Sequence, residues 1–479
     1  MNLHIELILP QLIITGTAIL VLLLSLGNKS IRKSAPYLSI IGVMIALWYS
    51  MLHWESARTG FSYMVISDGY TYFFNILFLA GTGLVILISM RFVSQEKIIE
   101  PEYYTLILFA TLGMMVMAGS TDLIVLFLGL ELLSIPLYIL ASIKRSELKG
   151  NESALKYLLL GAFAAGFLLY GIALIYGATG TTNLTKIITA TPAQSGNTMF
   201  LIGTVLILIG FGFKVGIVPF HTWIPDVYEG SSTAITSFMA IGPKAAGFAA
   251  LLRVMIGLPA ITQTQISTAL WWLAVLTMTL GNLVALRQEN IKRMLAYSSI
   301  AHAGYILVGL IAGPVPPAVS RYNPVLFYLI VYTLMNLGAF TIVMLIERSS
   351  LKTENRQLTT NFAGSSTKHP FLAFAMSVFM ISLAGIPPTG GFMAKFYLFK
   401  SAVDAGYVGL VIIAVLNSVI SVYYYLRIVV LMYMKPAESE FAPIEFPHPV
   451  SFVLTLCTLG IIYLGVYPAF IIIWIKNLF

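Results

Sequence analysis

The sequence predicts an all-α polytopic membrane protein with about 14 transmembrane helices. Three observations carry that reading. Of the 479 residues, 58% are hydrophobic and only 10% charged, and the mean hydropathy is +0.91. A soluble domain carries about 25% charged residues, and so few charges cannot tile a surface in water. Apolar runs long enough to cross a hydrocarbon layer, about 20 residues as helix for about 30 Å, recur fourteen times. These runs are too long and too evenly apolar for the alternation of a β-barrel.

In order, the runs cover residues 8–26, 36–52, 69–90, 103–118, 122–143, 153–177, 199–218, 231–256, 267–286, 291–312, 325–346, 371–401, 407–434 and 450–475. No linker between them is long enough to divide soluble domains, and no low-complexity segment is present. The single cysteine, Cys457, excludes an intramolecular disulfide framework and any Cys-ligated zinc or iron–sulfur centre held by this chain alone. The stretch before span one carries Glu6 and no basic region, so no cleavable signal is expected.

The net charge of +8 reads as basic loops rather than nucleic-acid affinity, because the Lys and Arg sit between apolar runs. Sixteen basic residues fall after odd-numbered spans: Lys29, Arg32, Lys33, Arg91, Lys97, Lys144, Arg145, Lys149, Arg287, Lys292, Arg293, Arg348, Lys352, Arg356, Lys368 and Lys435. Five fall on the opposite side: Arg58, Lys186, Arg321, Lys400 and Lys476. The positive-inside rule then puts both termini on the non-cytoplasmic face.

Spans seven and twelve are interrupted. Span seven ends in Gly216-Ile217-Val218-Pro219, and span twelve contains Gly385-Ile386-Pro387-Pro388-Thr389-Gly390-Gly391. Pro removes a backbone donor and Gly adds freedom, so both helices open at or near membrane depth. Paired interruptions in corresponding places point to an inverted-repeat transporter site; a simple packing kink is the other reading.

A charge at the bilayer centre costs at least about 2.5–3.5 kcal/mol on insertion scales, so ionisable residues inside spans are functional candidates. Glu131 lies in the middle of span five. Lys214 lies one turn before the break in span seven, Lys244 follows Gly242-Pro243 in span eight, Lys395 follows the break in span twelve, and His302 lies about three turns into span ten. One acid, three amines and one imidazole make a poor cation cage and lack metal-ligand spacing. Their physical use is proton handling, because burial favours the neutral amine and a nearby carboxylate favours the ammonium. Each also has a plainer reading: Glu131 and Lys214 as a static ion pair, Lys244 and Lys395 as snorkelling side chains, His302 as a packing residue. Lys156, one turn into span six, fits either snorkelling or function, and His221, just past the first break, fits either function or the satisfaction of loose backbone groups. Lys292 and Arg293 read as a helix start on the cytoplasmic side, and Arg253 and Arg427 as anchors near helix ends. Gly161, Gly166 and Gly171 in span six favour close helix packing. Gly210-Phe211-Gly212 lies in an apolar helix with no preceding strand, so it reads as packing and not as a dinucleotide fingerprint.

The string from Phe213-Lys214-Val215-Gly216 through Pro225-Asp226-Val227-Tyr228-Glu229-Gly230 resembles the antiporter-like membrane subunits of respiratory NADH:quinone oxidoreductase, complex I. So do Asn290 to Ile300 and the break in span twelve, and the resemblance covers essentially the whole chain. Within that family it is most similar to the subunit N branch, since Lys395 stands where the M branch has a glutamate and little sequence follows span fourteen. The resemblance implies an N-terminal group of helices over residues 1–118, whose fourth helix opens the first repeat. It further implies two inverted five-helix repeats over 103–256 and 267–434, and a C-terminal helix over 450–475. It also implies Glu131 and Lys214 as a modulating pair, Lys156 as a helper near the cytoplasmic side, Lys244 and His302 along a central axis, and Lys395 toward the exit. No cofactor is implied in this chain; NADH, FMN, iron–sulfur clusters and quinone belong to partner subunits. The implied partners are other membrane subunits, an M-like antiporter subunit and small K- and J-type subunits, in a bacterial inner membrane. Mrp-type cation/proton antiporters and membrane-bound hydrogenases share the scaffold and form the alternative. One departure is local: Ser231-Ser232-Thr233 replaces a common Gly-Ala-Pro-like continuation and leaves the start of span eight open.

Overall fold

The computed structural model describes residues 4–54, 57–96, 98–190, 197–258, 260–313, 322–349, 357–436 and 446–478. Lys97, Arg321, Lys352 and Arg356, which contribute to the charge asymmetry, lie outside the described residues. The peripheral helices α1 (Leu9–Leu23), α2 (Lys29–Arg32) and α3 (Ala35–Leu52) come first. A small antiparallel hairpin, β1 (Arg58–Gly60) paired with β2 (Val65–Ser67), follows them and is a local exception to an otherwise helical chain. Next come α4 (Gly69–Gln95), α5 (Glu100–Gly119), α6 (Leu123–Ala141), α7 (Leu148–Thr179), the short α8 (Leu184–Ala190) and α9 (Thr198–Val215). The centre of the chain holds α10 (Trp223–Gly230), α11 (Thr233–Ile256), α12 (Ala260–Leu286), α13 (Ile291–Ile311) and α14 (Asn323–Ser349). The last helices are α15 (Ser365–Lys368), α16 (Pro370–Ala384), α17 (Gly390–Asp404), α18 (Val408–Met434), α19 (His448–Val466) and α20 (Ala469–Asn477).

Thirteen of the described helical segments are long and apolar enough to cross a membrane, and α16 is a shorter apolar helix. The difference from fourteen lies in span twelve, which divides into α16 and α17. Short polar side chains set where several spans begin. Asp68 accepts from the Thr71 amide at 2.8 Å, Asp122 from Ile124 at 2.9 Å, Asn197 from Met199 at 2.9 Å and Asn290 from Lys292 at 2.9 Å. Each satisfies amide donors that a helix start otherwise leaves unpaired. Span eight begins at Thr233, just after the divergent serines.

The two interruptions share one backbone geometry. Gly216 ends α9 at φ 81°, ψ 43°, and Gly385 ends α16 at φ 82°, ψ 44°. The next amide reaches back over the turn in both: Ile217 to the Gly212 carbonyl at 2.8 Å and Ile386 to the Ile381 carbonyl at 3.1 Å. This left-handed helix ending favours glycine, because a Cβ is strained there. An X-Pro bond then follows in the cis form, at Val218-Pro219 and at Pro387-Pro388. After the break the chain turns helical again, as α10 and α17.

The run over 450–475 is not one helix. It divides into α19 and α20 at Tyr467, which adopts φ −132°, ψ 69° before Pro468. Proline lacks the amide that would continue the ladder and pushes the preceding residue out of helical conformation.

The bundle's core is formed by α11, α13 and α14, whose apolar stretches are 94%, 94% and 89% buried inside the protein. The comparable figures for α7 and α18 are 33%, so those helices form the rim. Lys244 and His302 therefore lie on protein-enclosed helices and do not snorkel to a lipid face. Of the span-six glycines, two pack closely: a Cβ at Gly161 would meet the Tyr138 hydroxyl, and one at Gly171 would meet the Gly203 carbonyl at 2.7 Å. Gly166 has open space before it and does not serve packing.

Candidate functional site

Lys214 occupies the last turn of α9, and the Gly216 ending directs the chain away immediately after it. Its stem lies beside Gly247 of α11, where a Cβ would come 3.4 Å from the Lys214 Cγ. The buried ammonium donates to Ser134 Oγ at 2.8 Å and to the Tyr157 hydroxyl at 3.3 Å. Trp223 of α10 stacks flat on Tyr157, with centroids 4.4 Å apart and 5° between planes, and its indole N–H donates to the Phe213 carbonyl at 2.9 Å. The interrupted helix is thus clamped against α7 and α9 by one aromatic side chain.

Glu131 and Lys214 do not form the static ion pair of the plainer reading. Glu131 sits on α6 one turn before Ser134, yet Lys214 bonds to hydroxyls only, and Glu131 Oε1 is buried without a hydrogen-bond partner. The reason is local: Ser134 occupies the same helix face and is the nearer acceptor.

Lys244 follows Pro243 inside α11 and donates to both the carbonyl and the hydroxyl of Ser299 on α13. Tyr332 of α14 donates to the same hydroxyl at 2.8 Å and presents its ring 5.5 Å from the Lys244 ammonium. His302, one turn beyond Ser299, is held from two sides: Nδ1 lies 2.6 Å from the Tyr328 hydroxyl and Nε2 lies 3.1 Å from the Tyr425 hydroxyl. Tyr425 also bonds to Ser298. The His302 ring is 5.5 Å from the Tyr332 ring and 5.7 Å from the Tyr305 ring.

Lys395, on α17 just after the second break, turns back onto the end of α16. It donates to the carbonyls of Leu383 at 3.1 Å and Ala384 at 2.9 Å and to Ser418 Oγ at 2.9 Å. These carbonyls have no intrahelical partner, and a helix C-terminus carries partial negative charge, so the ammonium sits where the α16 dipole favours it. Its head lies 4.8 Å from the Tyr305 ring, which completes a contact series Lys244–Ser299–Tyr332–His302–Tyr305–Lys395 through the protein interior.

Lys156 and His221 lie away from this series. Lys156 pairs with Asp226 and Glu152, each at 2.8 Å, and remains partly exposed. Arg293 pairs with Asp226 at 2.8 Å and Glu229 at 2.9 Å, so Asp226 ties α7, α10 and α13 together. Burial alone would push the Asp226 carboxyl up, but hydrogen bonds from Lys156 and Arg293 outweigh it and hold it below the usual carboxylate range. His221 lies in the loop after the first break, its Nδ1 buried without a partner.

One expectation about basic residues is corrected and another extended. Lys292 does stand in the first turn of α13, and it is also buried and donates to the Ser231 carbonyl at 2.5 Å. Arg253 is not an anchor. It is buried, bonds Asp68 through both terminal nitrogens at 2.8 and 3.0 Å, donates to the Ala118 carbonyl at 3.0 Å and stacks 4.3 Å over Tyr70. Arg427 donates to the Leu286 and Gln288 carbonyls, capping the end of α12.

The hydroxyl side chains were the residues that sequence reasoning missed. Ser299, His302 and Tyr305 recur every three residues on α13, and Tyr328 and Tyr332 are four apart on α14. Helical spacing of polar groups within apolar spans is the signal that would have found them. Among the described residues, no three His, Cys, Asp or Glu side chains come together as a metal-binding group.

Interrupted spans around a buried row of ionisable groups define an ion-translocating membrane bundle. Residues 120–421 match the family described as NADH:quinone oxidoreductase/Mrp antiporter, transmembrane. The chain is 49% identical over 476 residues to NADH-quinone oxidoreductase subunit N of Trichlorobacter lovleyi, covering 98% of this chain and 96% of that one. A chain of respiratory complex I from Thermus thermophilus superposes with a TM-score of 0.83 at 33% identity, over 98% of this chain and 99% of that one. A chain of the Mrp complex from Dietzia has the same fold, with a TM-score of 0.84 at 21% identity over 99% and 97% of the two chains. The chain belongs to the NADH:quinone oxidoreductase/Mrp antiporter transmembrane family, in its subunit N branch.

Proposed function

We propose that the chain translocates protons as the N-type membrane subunit of an NADH:quinone oxidoreductase, using Glu131, Lys214, Lys244, His302 and Lys395 as its proton-carrying groups. One observation carries this reading: Lys214, Lys244 and Lys395 are bound by hydroxyl and carbonyl oxygens, and among the described residues no carboxylate lies within ion-pair distance of them. An ammonium fixed by a carboxylate is locked in its charged form, whereas one held by neutral oxygens can release its proton to a neighbour. Glu131, one turn from the Ser134 contact and itself unpartnered at Oε1, is placed to draw the Lys214 head toward it. Such a move exchanges a neutral contact for an ion pair and raises the proton affinity of Lys214.

Residues 103–256 and 267–434 act as two inverted repeats, a reading supported by the shared geometry at Gly216 and Gly385. Lys156 assists on the side of the basic loops and His221 near the first break. That side is cytoplasmic, both termini lie across a bacterial inner membrane, and M-like and small K- and J-type subunits adjoin the chain. FMN, iron–sulfur clusters and quinone reside in partner subunits.

The test is the proton-to-electron ratio of the whole complex in vesicles, with Lys214→Ala and Lys244→Ala introduced separately. A lowered ratio in an assembled complex is expected, and an unchanged ratio in both variants overturns the reading. Isolation of the chain with membrane partners but no redox subunit would place it in a cation/proton antiporter instead.

A further inference from the structure

A polar pocket of about 170 Å³ opens on the face of the basic loops, away from the series just described. Its rim carries an ion cluster, in which Lys144 bridges Glu96 at 2.9 Å and Glu147 at 3.1 Å. Its inner wall is made by Ser231, Ser232, Lys292 and Glu347. Liquid water takes about 30 Å³ per molecule, so the pocket has room for several waters. Four side-chain oxygens there and beneath it are buried without a protein partner: Ser231 Oγ, Ser232 Oγ, Ser237 Oγ and Glu347 Oε1. Apolar interiors do not leave several polar atoms unpaired side by side, and water is the molecule that would pair them.

The pocket is connected to Lys244 by spacing. On α11, Thr233, Ser237 and Lys244 fall at intervals of four and seven and so share one face. On α13, Lys292 and Ser299 are seven apart; on α14, Asn336 and Glu347 are eleven apart. Each pair lies nearly in line along its helix. Two bonds fix the faces toward one another: Thr233 donates to Glu347 at the pocket end, and Lys244 donates to Ser299 at the inner end. Between them lie Ser237 and Asn336, both fully buried and each with an unpartnered oxygen. A stripe of polar groups thus runs inward from the pocket through an otherwise apolar three-helix core.

We propose that this pocket is the cytoplasmic water inlet of the proton route, with Glu347 as the carboxylate that collects protons and Lys292 as the positioning cation beside it. The proposal rests on the proton-translocating reading above and deepens it. A hydronium ion at the rim gives its proton to Glu347 Oε1, forming an O–H bond and leaving water. Glu347 passes that proton through waters bonded to Ser237 and Asn336 to the neutral amine of Lys244, and returns to carboxylate as Lys244 becomes ammonium. In its ammonium form Lys292, held by the Ser231 carbonyl at the inner wall, stabilises the carboxylate between transfers.

Two measurements on the whole complex in sealed vesicles test this. Ser232→Cys, made together with Cys457→Ala, is exposed to a small charged methanethiosulfonate from each face in turn. Modification from the basic-loop face, with loss of proton transfer, is expected; no modification, or modification only from the opposite face, overturns the inlet. The second measurement compares Glu347→Gln with Lys244→Ala. Glu347→Gln keeps the size and the Thr233 contact but cannot bind and release a proton, and a lowered proton-to-electron ratio is expected. If Lys244→Ala lowers the ratio and Glu347→Gln does not, the inlet fails while proton translocation stands. If neither lowers it, the underlying reading fails. Should Glu347→Gln prevent assembly, the cysteine modification decides alone.

Discussion

Lys214 and Glu131 lie on facing helices but do not touch: the ammonium is 2.8 Å from Ser134 Oγ, one turn along α6 from a carboxylate whose Oε1 has no partner. This leaves the lysine a choice between neutral hydroxyls, Ser134 and Tyr157, and one carboxylate. Ser134→Ala removes the nearer hydroxyl. A hydrogen bond to a charged group contributes about 1.5–3 kcal/mol, so the variant shifts Lys214 toward Glu131 by about tenfold or more. The expected outcome is a locked ion pair and slower proton release, read as a lower ratio of protons to electrons in assembled complex. Glu131→Gln in the same chain removes the lock and restores part of the ratio.

Gly385 offers a sharper local test. Its φ of 82° is strained for any residue with a Cβ, and that Cβ would come 2.8 Å from Lys395 Cδ. Gly385→Ala is expected to destabilise the break by about 1–3 kcal/mol and to move the Lys395 head off the α16 carbonyls. Proton-to-electron ratio and the melting temperature of the complex should fall together. A substitution that leaves both unchanged would show that the helix ending tolerates another conformation.

Trp223 separates stacking from hydrogen bonding. Trp223→Phe keeps a ring against Tyr157 and loses only the bond to the Phe213 carbonyl, whereas Trp223→Ala loses both. Truncation of a buried Trp costs about 3–5 kcal/mol, so thermal stability is expected to fall far more for Ala than for Phe.

Arg253 and Asp68 form a buried pair joining α11 to the start of α4. Arg253→Met leaves the Asp68 carboxylate uncompensated, and breaking one partner of such a pair costs about 3–5 kcal/mol. Loss of the assembled subunit is expected, with partial rescue by Asp68→Asn in the same chain.

Asp226 gives the pH dependence. Its carboxyl is held below the usual range in the folded chain, despite burial, by Lys156 and Arg293. A depressed folded value means that the stabilisation is fully present above the unfolded value, about 3.9, and is lost as pH falls through the folded one. The melting temperature of the wild type should exceed that of Asp226→Asn at neutral pH, and the gap should close below about pH 4. Because Asp226 is 34% exposed, solvent screening keeps the gap small.

The amino-acid sequence alone determined the helical membrane class, the place of both interruptions and the five ionisable residues Glu131, Lys214, Lys244, His302 and Lys395 within spans. It could do so because a hydrocarbon layer demands long apolar runs, proline and glycine interrupt them, and a Lys or Glu within one stands out against its neighbours. The tertiary structure alone decided the partners. Lys214 chose Ser134 over Glu131, Lys292 and Arg253 proved to be buried, and Tyr467 ended a helix that hydropathy carried through to residue 475. Hydropathy records how a side chain partitions, whereas a hydrogen bond depends on which face of a distant helix is turned toward it. Tyrosines and serines raise little signal in an apolar run, so the groups that link Lys244 to Lys395 emerged only once α11, α13, α14 and α17 were packed together.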